Sequence, residues 1–489
     1  MSEMSTESSP SSSQEKSSND RLNDCTMGNR RVETVQHRRH RSRHLKGPRV
    51  AMVSDFFYPG LGGVEMHIYQ LSQCLMDLGF YVIVITHYRG DRMGVRYMTN
   101  GLKAYYLPYK TFVDQCTLPA FITYFGLMRQ ILIRERIDIV HGHQATSALC
   151  QEMCFHARTM GYKTVYTDHS LFGFGDAACI AINKVLKVFL TDVHHCICVS
   201  HTNKENLILR AAIRPDDVSV IPNAVDASRF TPNPSPRVGP LQHDSVSIVV
   251  VSRLTFRKGI DILIDVMPEI SRRFPHVHWI IAGDGPKRMD IEQMLERYKL
   301  HDRTELLGKV PHSQVRDVLL RGDIFLNCSL TEAFCIAIVE AASCGLCVVS
   351  TDVGGVPEVL PPSMIRLCPP NAEKFIEAVS ETITEDVPYR DRWDQHRKVS
   401  EMYSWNDVAR RTADVYKKVM DTPDMTLKQR IKLMHTTGPA LGKICVLMVV
   451  FSRMMCIFFN WLYPARRIEK SIDFPFKAYK NHKHHKGHR

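Results

Sequence analysis

The chain has 489 residues, which is too long for one ordinary hydrophobic core, so two domains with additional segments are expected. Hydrophobic residues make up 44% of the chain and charged residues 23%, values that exclude a wholly disordered or fibrous protein. The net charge of +12 is unevenly distributed: residues 28–49 carry +7 and 464–489 carry +6, whereas residues 1–27 carry −3. Residues 50–463 therefore carry only +2. We accordingly expect two basic terminal segments and no nucleic-acid partner.

The first 48 residues are rich in Ser and acidic residues and then in Arg and His, so they offer almost nothing to bury. This composition predicts a disordered extension. No secretory apolar segment follows the start, and 15 cysteines are too few for a disulfide scaffold, which favours a reducing, cytosolic environment. The pair Cys344 and Cys347 has C-x-x-C spacing without a second pair, so we predict no metal, and no cofactor is expected.

From residue 49 onward, short apolar runs alternate with amphipathic stretches of helical length. This rhythm is typical of a parallel sheet covered by helices on both faces. Residues 231–240 hold four Pro and one Gly, which indicates a linker between domains. The same rhythm then restarts, so the sequence predicts an α/β protein with Rossmann-like domains at 49–235 and 241–420. A ligand is expected in the cleft between them, at the carboxyl ends of strands.

An apolar segment at 444–463 has 20 residues, enough for a helix to cross a bilayer. Arg453 lies near its middle and would cost roughly 2.5 to 3.5 kcal/mol on insertion unless it is paired. We predict a transmembrane helix, with a buried or interfacial amphipathic helix as the alternative. Residues 464–489 form a basic tail. Because the globular part precedes this segment without an export signal, we place that part in the cytosol.

A glycine loop containing Gly62 and Gly63 follows the first apolar run and opens onto an amphipathic helix. Backbone N–H groups at such a helix start suit a phosphate or diphosphate. The loop does not fit the dinucleotide pattern, because Glu65 stands where the third glycine should be. A plain tight turn explains the loop equally well.

Arg253 and Lys258 come just after the first apolar run of the second domain. Cations at the carboxyl end of a strand could neutralise a departing diphosphate, although solvated surface charge is the simpler explanation of each residue alone. The chain contains no Asp-x-Asp sequence, a common way to hold a divalent metal on such a phosphate. Positive side chains would then have to supply the electrostatic stabilisation.

Two carboxylates, Glu332 and Glu340, lie eight positions apart in the segment 329–346. We expect Glu332 in the loop before a helix and Glu340 within the helix. Glu340 lies in an apolar run and needs a polar partner to offset desolvation. One carboxylate could meet a sugar and the other a ribose hydroxyl, while a helix N-terminal charge is the alternative for Glu332.

His143 ends a strand that faces the expected cleft, although a hydrogen-bonded core histidine is commoner than a catalytic one. Asp168 and His169 end another strand and are weaker candidates. Asn223 and the turn 282–286 either shape the cleft or cap neighbouring elements.

Taken together, these motifs resemble the retaining GT-B glycosyltransferases of family four. The resemblance rests on the E-x7-E pair at 332 and 340, SRL-x-x-RKG at 252–259, GDGP at 283–286 and STDVGGVPEV at 350–359. It spans nearly all of 50–420. Residues 55–75, 167–175 and 329–346 are more similar to the branch of that family that begins glycosylphosphatidylinositol anchor synthesis. Related enzymes often have Pro where Cys347 stands, and the basic extension lies outside the matching region.

The resemblance implies two Rossmann-like domains facing a central cleft, plus a hydrophobic helix near the carboxyl end. It also implies transfer of N-acetylglucosamine from UDP-N-acetylglucosamine to phosphatidylinositol, at the cytosolic face of the endoplasmic reticulum membrane, within a multisubunit complex. By motif position, the resemblance implies that Arg253 and Lys258 bind the donor diphosphate. It implies that Glu340 binds the ribose and that Glu332 contacts the transferred sugar. Gly62 and Gly63 would line the reaction centre, and His143 would lie near the sugar and the acceptor. The alternatives are another family-four transferase with a different acceptor and a nucleotide-sugar-binding subunit without catalysis.

Overall fold

A computed structural model of the chain describes residues 47–60, 62–113, 115–121, 125–233, 246–385 and 391–473. The predictions of a disordered extension at 1–48, a linker at 231–240 and a basic tail at 464–489 fall largely outside these residues. The described residues form two α/β domains and a helical carboxyl-terminal segment.

The amino-terminal domain is built on an eight-stranded sheet in the order β10-β9-β8-β7-β1-β2-β4-β3. Its strands are parallel except β3, which runs antiparallel to β4 at one edge. In chain order its elements are β1 (Arg49–Val53), α1 (Gly63–Asp77), β2 (Tyr81–His87), β3 (Gly94–Tyr97), β4 (Lys103–Leu107), β5 (Thr111–Val113), β6 (Cys116–Thr117), α2 (Phe125–Arg134), β7 (Ile139–His143), α3 (Ala148–Met160), β8 (Lys163–Asp168), α4 (Ala177–Leu190), β9 (His195–Cys198), α5 (His201–Ala211) and β10 (Val218–Val220). Strands β5 and β6 form a separate hairpin.

The second domain is built on a six-stranded, all-parallel sheet in the order β13-β12-β11-β14-β15-β16. Its elements are β11 (Val246–Val251), α6 (Ile260–Arg273), β12 (Val277–Ala282), α7 (Arg288–Tyr298), β13 (Thr304–Gly308), α8 (His312–Leu319), β14 (Ile324–Asn327), α9 (Ile336–Ser343), β15 (Cys347–Thr351), β16 (Ile365–Cys368), α10 (Ala372–Thr384) and α11 (Arg392–Met402). Two Rossmann-like domains were predicted and are confirmed. The edge strand β3 was not predicted from the sequence, because its side chains are mostly exposed and give no apolar run.

The chain then returns to the first domain through α12 (Trp405–Asp421), α13 (Leu427–His435) and α14 (Leu441–Leu462). Helix α12 packs against α1 and β8, and its Tyr416 hydroxyl lies 2.7 Å from Nδ1 of His141 on β7. The predicted boundary at 420 assigns α12 to the second domain, although α12 contacts elements of the first. The apolar face of α12 is covered by the first domain, which the sequence periodicity alone could not reveal.

Helix α14 matches the apolar segment predicted at 444–463, and among the described residues it is the one helix long and apolar enough to cross a membrane. One face of the helix packs against α13 and α3 of the first domain. Its crossing of a membrane remains a prediction.

Direct contacts between the domains fix the cleft. The Glu358 carboxylate of the second domain accepts hydrogen bonds from the backbone N–H groups of His201 and Thr202, at 2.6 and 2.8 Å. These groups belong to the first turn of α5, where N–H groups have no partner within the helix. A carboxylate at a helix N-terminus also interacts favourably with the helix dipole. Glu358 therefore ties the second domain to a defined point on the first.

Candidate active site

The glycine loop lies at the carboxyl end of β1 and faces the second domain. A Cβ atom at Gly62 would lie 2.5 Å from Oε2 of Glu65, so any side chain at this position would displace the Glu65 carboxylate. A Cβ atom at Gly63 would lie 3.4 Å from Cδ1 of Ile336, the first residue of α9 in the other domain. The structure thus places Gly62 and Gly63 where the two domains meet.

The start of this loop is fixed by Asp55, a buried residue that the sequence patterns did not single out. The carboxylate of Asp55 accepts hydrogen bonds from Ser147 Oγ at 2.9 Å and from Thr117 Oγ1 at 2.8 Å. Burial raises the pKa of Asp55, and these hydrogen bonds act against that rise. Three segments of the first domain are therefore held together beneath the cleft.

Lys258 and Glu332 form an ion pair at the carboxyl edge of the second sheet. Lys258 ends a single 3-10 turn after β11, and Glu332 lies in the loop between β14 and α9, as predicted. Burial opposes the charged ammonium, but the Glu332 carboxylate outweighs it and raises the pKa of Lys258. Lys258 is accordingly charged at neutral pH.

The turn that carries Lys258 depends on the next residue, Gly259. This glycine has φ +66°, and a Cβ atom there would lie 1.7 Å from the carbonyl oxygen of Cys328 at the end of β14. Arg253 lies earlier in the same connection, is exposed, and is close enough to oppose the charging of Lys258. The two predicted cations therefore lie together at the end of β11.

Glu340 lies one turn inside α9 and is only 7% exposed. Its carboxylate oxygen Oε1 lies 2.7 Å from Nε2 of His312, the first residue of α8. This is the polar partner that the sequence required for a buried carboxylate. The two carboxylates of the E-x7-E pair thus have different partners, Lys258 and His312.

Three histidines of the first domain meet at the carboxyl ends of β7 and β8, the edge of the sheet that forms the opposite wall of the cleft, and His67 and His143 are at most 2% exposed there. His67 lies on α1, His143 ends β7 and His169 follows β8. The rings of His67 and His169 are 4.6 Å apart between centroids, and Nδ1 of His143 lies 3.3 Å from Nε2 of His169. We call these three residues the histidine cluster.

The histidine cluster is uncharged. Burial lowers the pKa of His67 to about 4 and the pKa values of His143 and His169 well below the ordinary value. Adjacent His141 is buried too, with its pKa lowered to about 3, and its Nε2 lies 2.7 Å from Thr167 Oγ1. The imidazoles can therefore donate or accept hydrogen bonds without adding positive charge to this wall.

The nitrogen atoms of the histidine cluster lie within 4.8 Å of one another, so the cluster is a possible metal ligand set. One ring nitrogen of His67 is already used, since Nδ1 lies 2.8 Å from Oδ1 of Asn223. No metal-binding pattern was visible in the sequence because these residues come from three separate elements. The expectation that the chain needs no metal stays a prediction.

The two walls approach each other at Gly354. A Cβ atom at this position would lie 2.3 Å from the carbonyl oxygen of Glu332 and 2.6 Å from Cδ1 of Leu171, which follows His169 by two residues. The neighbouring Gly355 donates its N–H to the Glu332 carbonyl oxygen at 2.9 Å. The loop 350–359 thus holds Glu332 beside the segment that carries His169.

The predicted site residues therefore fall into two groups across one cleft. Gly62, Gly63 and His143 belong to the first domain, whereas Arg253, Lys258, Glu332 and Glu340 belong to the second. The sequence patterns did not identify His67, His141 and His312. His67 could have been noticed, because it occupies the apolar face of α1 together with Ile68 and Leu71.

Comparison with known proteins agrees with this architecture. Solved structures with the same fold include sucrose-phosphate synthase from Thermosynechococcus elongatus, with a TM-score of 0.63, 19% identity, and coverage of 76% of this chain and 99% of that one. The Anabaena HepE protein in complex with UDP and glucose has a TM-score of 0.60 and 17% identity, with coverage of 76% and 99%. The fold is that of the GT-B glycosyltransferases, and residues 234–399 match the family model of glycosyl transferases group 1.

Residues 87–176 match the family model described as PIGA (GPI anchor biosynthesis). A phosphatidylinositol N-acetylglucosaminyltransferase subunit of Homo sapiens is 50% identical to this chain over 87% of both chains. The gpi3 subunit of the same transferase from Schizosaccharomyces pombe is 51% identical over 86% of this chain and 92% of its own. The chain belongs to this family of glycosyltransferase subunits.

Proposed function

We propose that the chain transfers N-acetylglucosamine from UDP-N-acetylglucosamine to phosphatidylinositol, the first step of glycosylphosphatidylinositol anchor synthesis. The observation that carries the proposal is the 50% identity with the human protein over 87% of both chains. The Lys258–Glu332 pair in the cleft supports it, because a nucleotide sugar brings both a diphosphate and hydroxyl groups to such a site.

The wall of the second domain, with Arg253, Lys258, Glu332 and Glu340, is called the charged wall here, and it suits the donor. We assign Arg253 and Lys258 to the diphosphate, Glu340 to the ribose and Glu332 to the transferred sugar. A cation beside the diphosphate stabilises the negative charge that develops as the bond from sugar to phosphate breaks. The ion pair with Glu332 keeps the ammonium charged and oriented before the donor binds.

The wall of the first domain, which carries the uncharged histidine cluster, is called the neutral wall, and it suits the sugar and the acceptor. We assign His143 to this side of the reaction centre, with Gly62 and Gly63 leaving room for the reacting groups. In the retaining reaction, the acceptor oxygen bonds to the sugar on the same face from which the diphosphate leaves. Neutral imidazoles can hydrogen-bond hydroxyl groups there without competing with Lys258 for the diphosphate.

We also propose that the chain works in a multisubunit complex at the endoplasmic reticulum membrane, with the two Rossmann-like domains in the cytosol. The relatives are named as subunits, which supports a complex. The apolar helix α14 supports membrane association, and a lipid acceptor requires it.

The test uses membranes that contain the intact chain and its partner subunits, supplied with labelled UDP-N-acetylglucosamine and phosphatidylinositol. We expect a labelled glycolipid, and we expect Glu332→Gln to abolish it, because the isosteric amide cannot pair with Lys258 as an ion. Glu269→Gln is the matched control, since Glu269 is half-buried on α6 and pairs with Arg272 and Arg273 of the same helix. Absence of product from the intact complex would point to another acceptor or to a subunit without catalysis.

A further inference from the structure

Helix α4 exposes an apolar face. Its inner residues recur at spacings of four and three and are buried against the first domain: Cys179, Asn183, Leu186 and Leu190. The exposed residues on the opposite side are five apolar side chains and one lysine: Ala177, Ala178, Ile180, Ala181, Val185 and Lys184. We call these six residues the outer face of α4. A helix at an ordinary protein surface places polar residues outward, and a contiguous exposed apolar patch marks an interaction site.

The loop before α4 carries an exposed aromatic ring next to this face. Phe174 lies between two glycines and is 53% exposed. Side-chain amide groups hold the backbone just before it: the carbonyl oxygens of Ser170, Phe172 and Gly173 accept hydrogen bonds from Asn203, Asn206 and Asn183, at 3.0, 3.1 and 3.0 Å. The backbone that presents Phe174 is therefore fixed by polar contacts, and its ring points away from the core.

The amino end of α4 lies at the mouth of the cleft. In the loop before it, Cδ1 of Leu171 would lie 2.6 Å from a Cβ atom at Gly354 of the second domain. The guanidinium carbon of Arg257 lies 5.8 Å from the centroid of the Phe172 ring. Arg257 directly precedes Lys258, the cation assigned to the donor diphosphate. The loop that carries Phe174 therefore adjoins the donor side of the cleft.

The carboxyl end of α4 lies beside the start of α14. Val188 is on the same side of the helix as the outer face, but it is only 6% exposed. It belongs to an apolar cluster with Met434 of α13 and Leu441, the first residue of α14. Because α14 is the helix predicted to cross the membrane, its start marks the membrane surface on the side of the catalytic domains. A helix of 14 residues is about 21 Å long, so α4 connects this point to the mouth of the cleft.

The charges of α4 suit an anionic lipid surface. Residues 177–190 contain two lysines, Lys184 and Lys187, and no acidic residue. Lys184 is exposed on the outer face, between Ala181 and Val185. A lysine can pack its methylene groups along an apolar surface while its ammonium reaches a headgroup phosphate. Cations placed in this way are attracted to a leaflet that carries negatively charged lipids.

The outer face differs from other exposed apolar side chains. Met289 and Tyr298 on α7 are 65% and 52% exposed, but the exposed residues between them are polar or charged: Gln293, Glu296 and Arg297. Single exposed apolar residues of this kind are normal at a protein surface. The apolar residues of the outer face are contiguous, lie at the cleft and adjoin the start of the predicted membrane helix.

We propose that the outer face of α4 and Phe174 dock on the cytosolic surface of the lipid bilayer and bring the lipid acceptor to the cleft. The apolar side chains contact acyl chains at the boundary with the headgroups, as interfacial helices do. The headgroup of an acceptor lipid at this place lies beside the loop 170–175, at the edge of the donor site. The identity of the acceptor rests on the proposed function, and the surface specifies where that acceptor enters.

The first test identifies the molecule that contacts the outer face. Ile180 is replaced by the photoreactive residue p-benzoylphenylalanine in the full chain with its partner subunits, in phosphatidylcholine vesicles that contain labelled phosphatidylinositol. We expect irradiation to attach labelled lipid to the chain. Met289 receives the same replacement as the matched control and should remain unlabelled. A cross-link from position 180 to a partner subunit, or lipid labelling equal to that of the control, would overturn the proposal.

The second test measures transfer by the double variant Phe174→Glu with Ile180→Glu, with Met289→Glu and Tyr298→Glu together as the matched control. Carboxylates in place of the two apolar side chains weaken contact with acyl chains, so we expect KM for phosphatidylinositol to rise by about tenfold or more in the first variant only. The affinity for UDP should be equal in both variants, which verifies that both are folded. An unchanged KM for phosphatidylinositol would contradict the proposal. Lipid cross-linking at position 180 without any glycolipid product from the unaltered complex would instead refute the proposed function and leave the docking surface intact.

Discussion

The two walls of the cleft differ in their electrostatic character. The wall of the second domain carries the Lys258–Glu332 ion pair and the buried carboxylate of Glu340, whose Oε1 lies 2.7 Å from Nε2 of His312. The wall of the first domain carries the histidine cluster, in which burial lowers the pKa values so that the rings are neutral. The first arrangement suits a charged diphosphate, and the second suits hydroxyl groups.

This difference follows from how each wall is built. Arg253, Lys258 and Glu332 lie in the connections that follow parallel strands, where they keep access to water and to a ligand, whereas Glu340 lies inside α9. The histidines lie on α1 and at the ends of β7 and β8, under α12. Trp405 of α12 covers His67 at 5.4 Å between ring centroids, so the neutral wall depends on the return of the chain to the first domain.

The largest effect is expected from Lys258→Met, which removes the paired cation of the charged wall. We expect transfer to fall by about 10³-fold, because a group that stabilises the leaving charge is lost. Steady-state transfer assays check this. Lys287→Met is the matched control, since Lys287 pairs with Asp261 and Asp290 at the surface, at 2.7 and 2.8 Å. Equal losses of transfer activity in Lys258→Met and Lys287→Met would show that Lys258 acts no differently from a surface lysine.

Glu340→Gln tests whether the two carboxylates of the charged wall, Glu332 and Glu340, have different roles. The amide can still accept one hydrogen bond from His312 but no longer offers a charged acceptor to a ribose hydroxyl. We expect KM for the nucleotide sugar to rise by about 10-fold, consistent with the loss of one charged hydrogen bond. A change confined to kcat would place Glu340 at the reacting bond and not at the ribose.

The neutral wall predicts a dependence of stability on pH. The pKa of His67 is about 4 in the folded chain, below the ordinary 6.5, so the unfolded chain binds more protons between these values. Stability should therefore fall as the pH decreases from 6.5 towards 4, with His67 alone contributing a loss of about 2 kcal/mol between pH 7 and pH 5.

Denaturant unfolding at these two pH values measures the effect, and His67→Asn should reduce it because asparagine has no titrating group. An unchanged pH dependence in His67→Asn would show that His67 does not titrate as a buried, neutral ring.

The smallest effect is expected at the contact that holds the two walls together. Glu358→Gln keeps the shape of the side chain but weakens its hydrogen bonds to His201 and Thr202. We expect a loss of about 1 kcal/mol in the closed arrangement of the domains, seen as a rise of roughly fivefold in KM for the nucleotide sugar. Transfer assays measure this KM. Glu377→Gln is the control, because Glu377 is an exposed carboxylate that pairs with Lys374 of its own helix, α10. Equal KM values in the two variants would show that Glu358 does not couple the domains.

Much of the charged wall could be predicted from the sequence because its residues are close in the chain. The segment 252–259 and the pair Glu332 and Glu340 each form a local pattern, and the strand-then-loop rhythm places them at one edge of the sheet. The structure adds the partners. Nothing in the local sequence links Glu340 to His312, which lies 28 positions away.

The neutral wall was harder to predict because it is assembled from distant segments. His67, His143 and His169 come from three elements, and only the order of strands β8-β7-β1 brings them together. The same limit applies to α12, whose contacts with α1 and β8 of the first domain the sequence does not indicate. An amphipathic pattern states that a helix buries one face, but it does not state which domain covers that face.

The most direct test of the division between the two walls is the affinity of UDP for two variants, Lys258→Met and His143→Asn. Calorimetry with UDP probes the diphosphate without sugar or acceptor. We expect Lys258→Met to weaken UDP binding at least tenfold, whereas His143→Asn should bind UDP like the unaltered chain but lose transfer. If His143→Asn weakens UDP binding as much as Lys258→Met does, the two walls do not have separate roles.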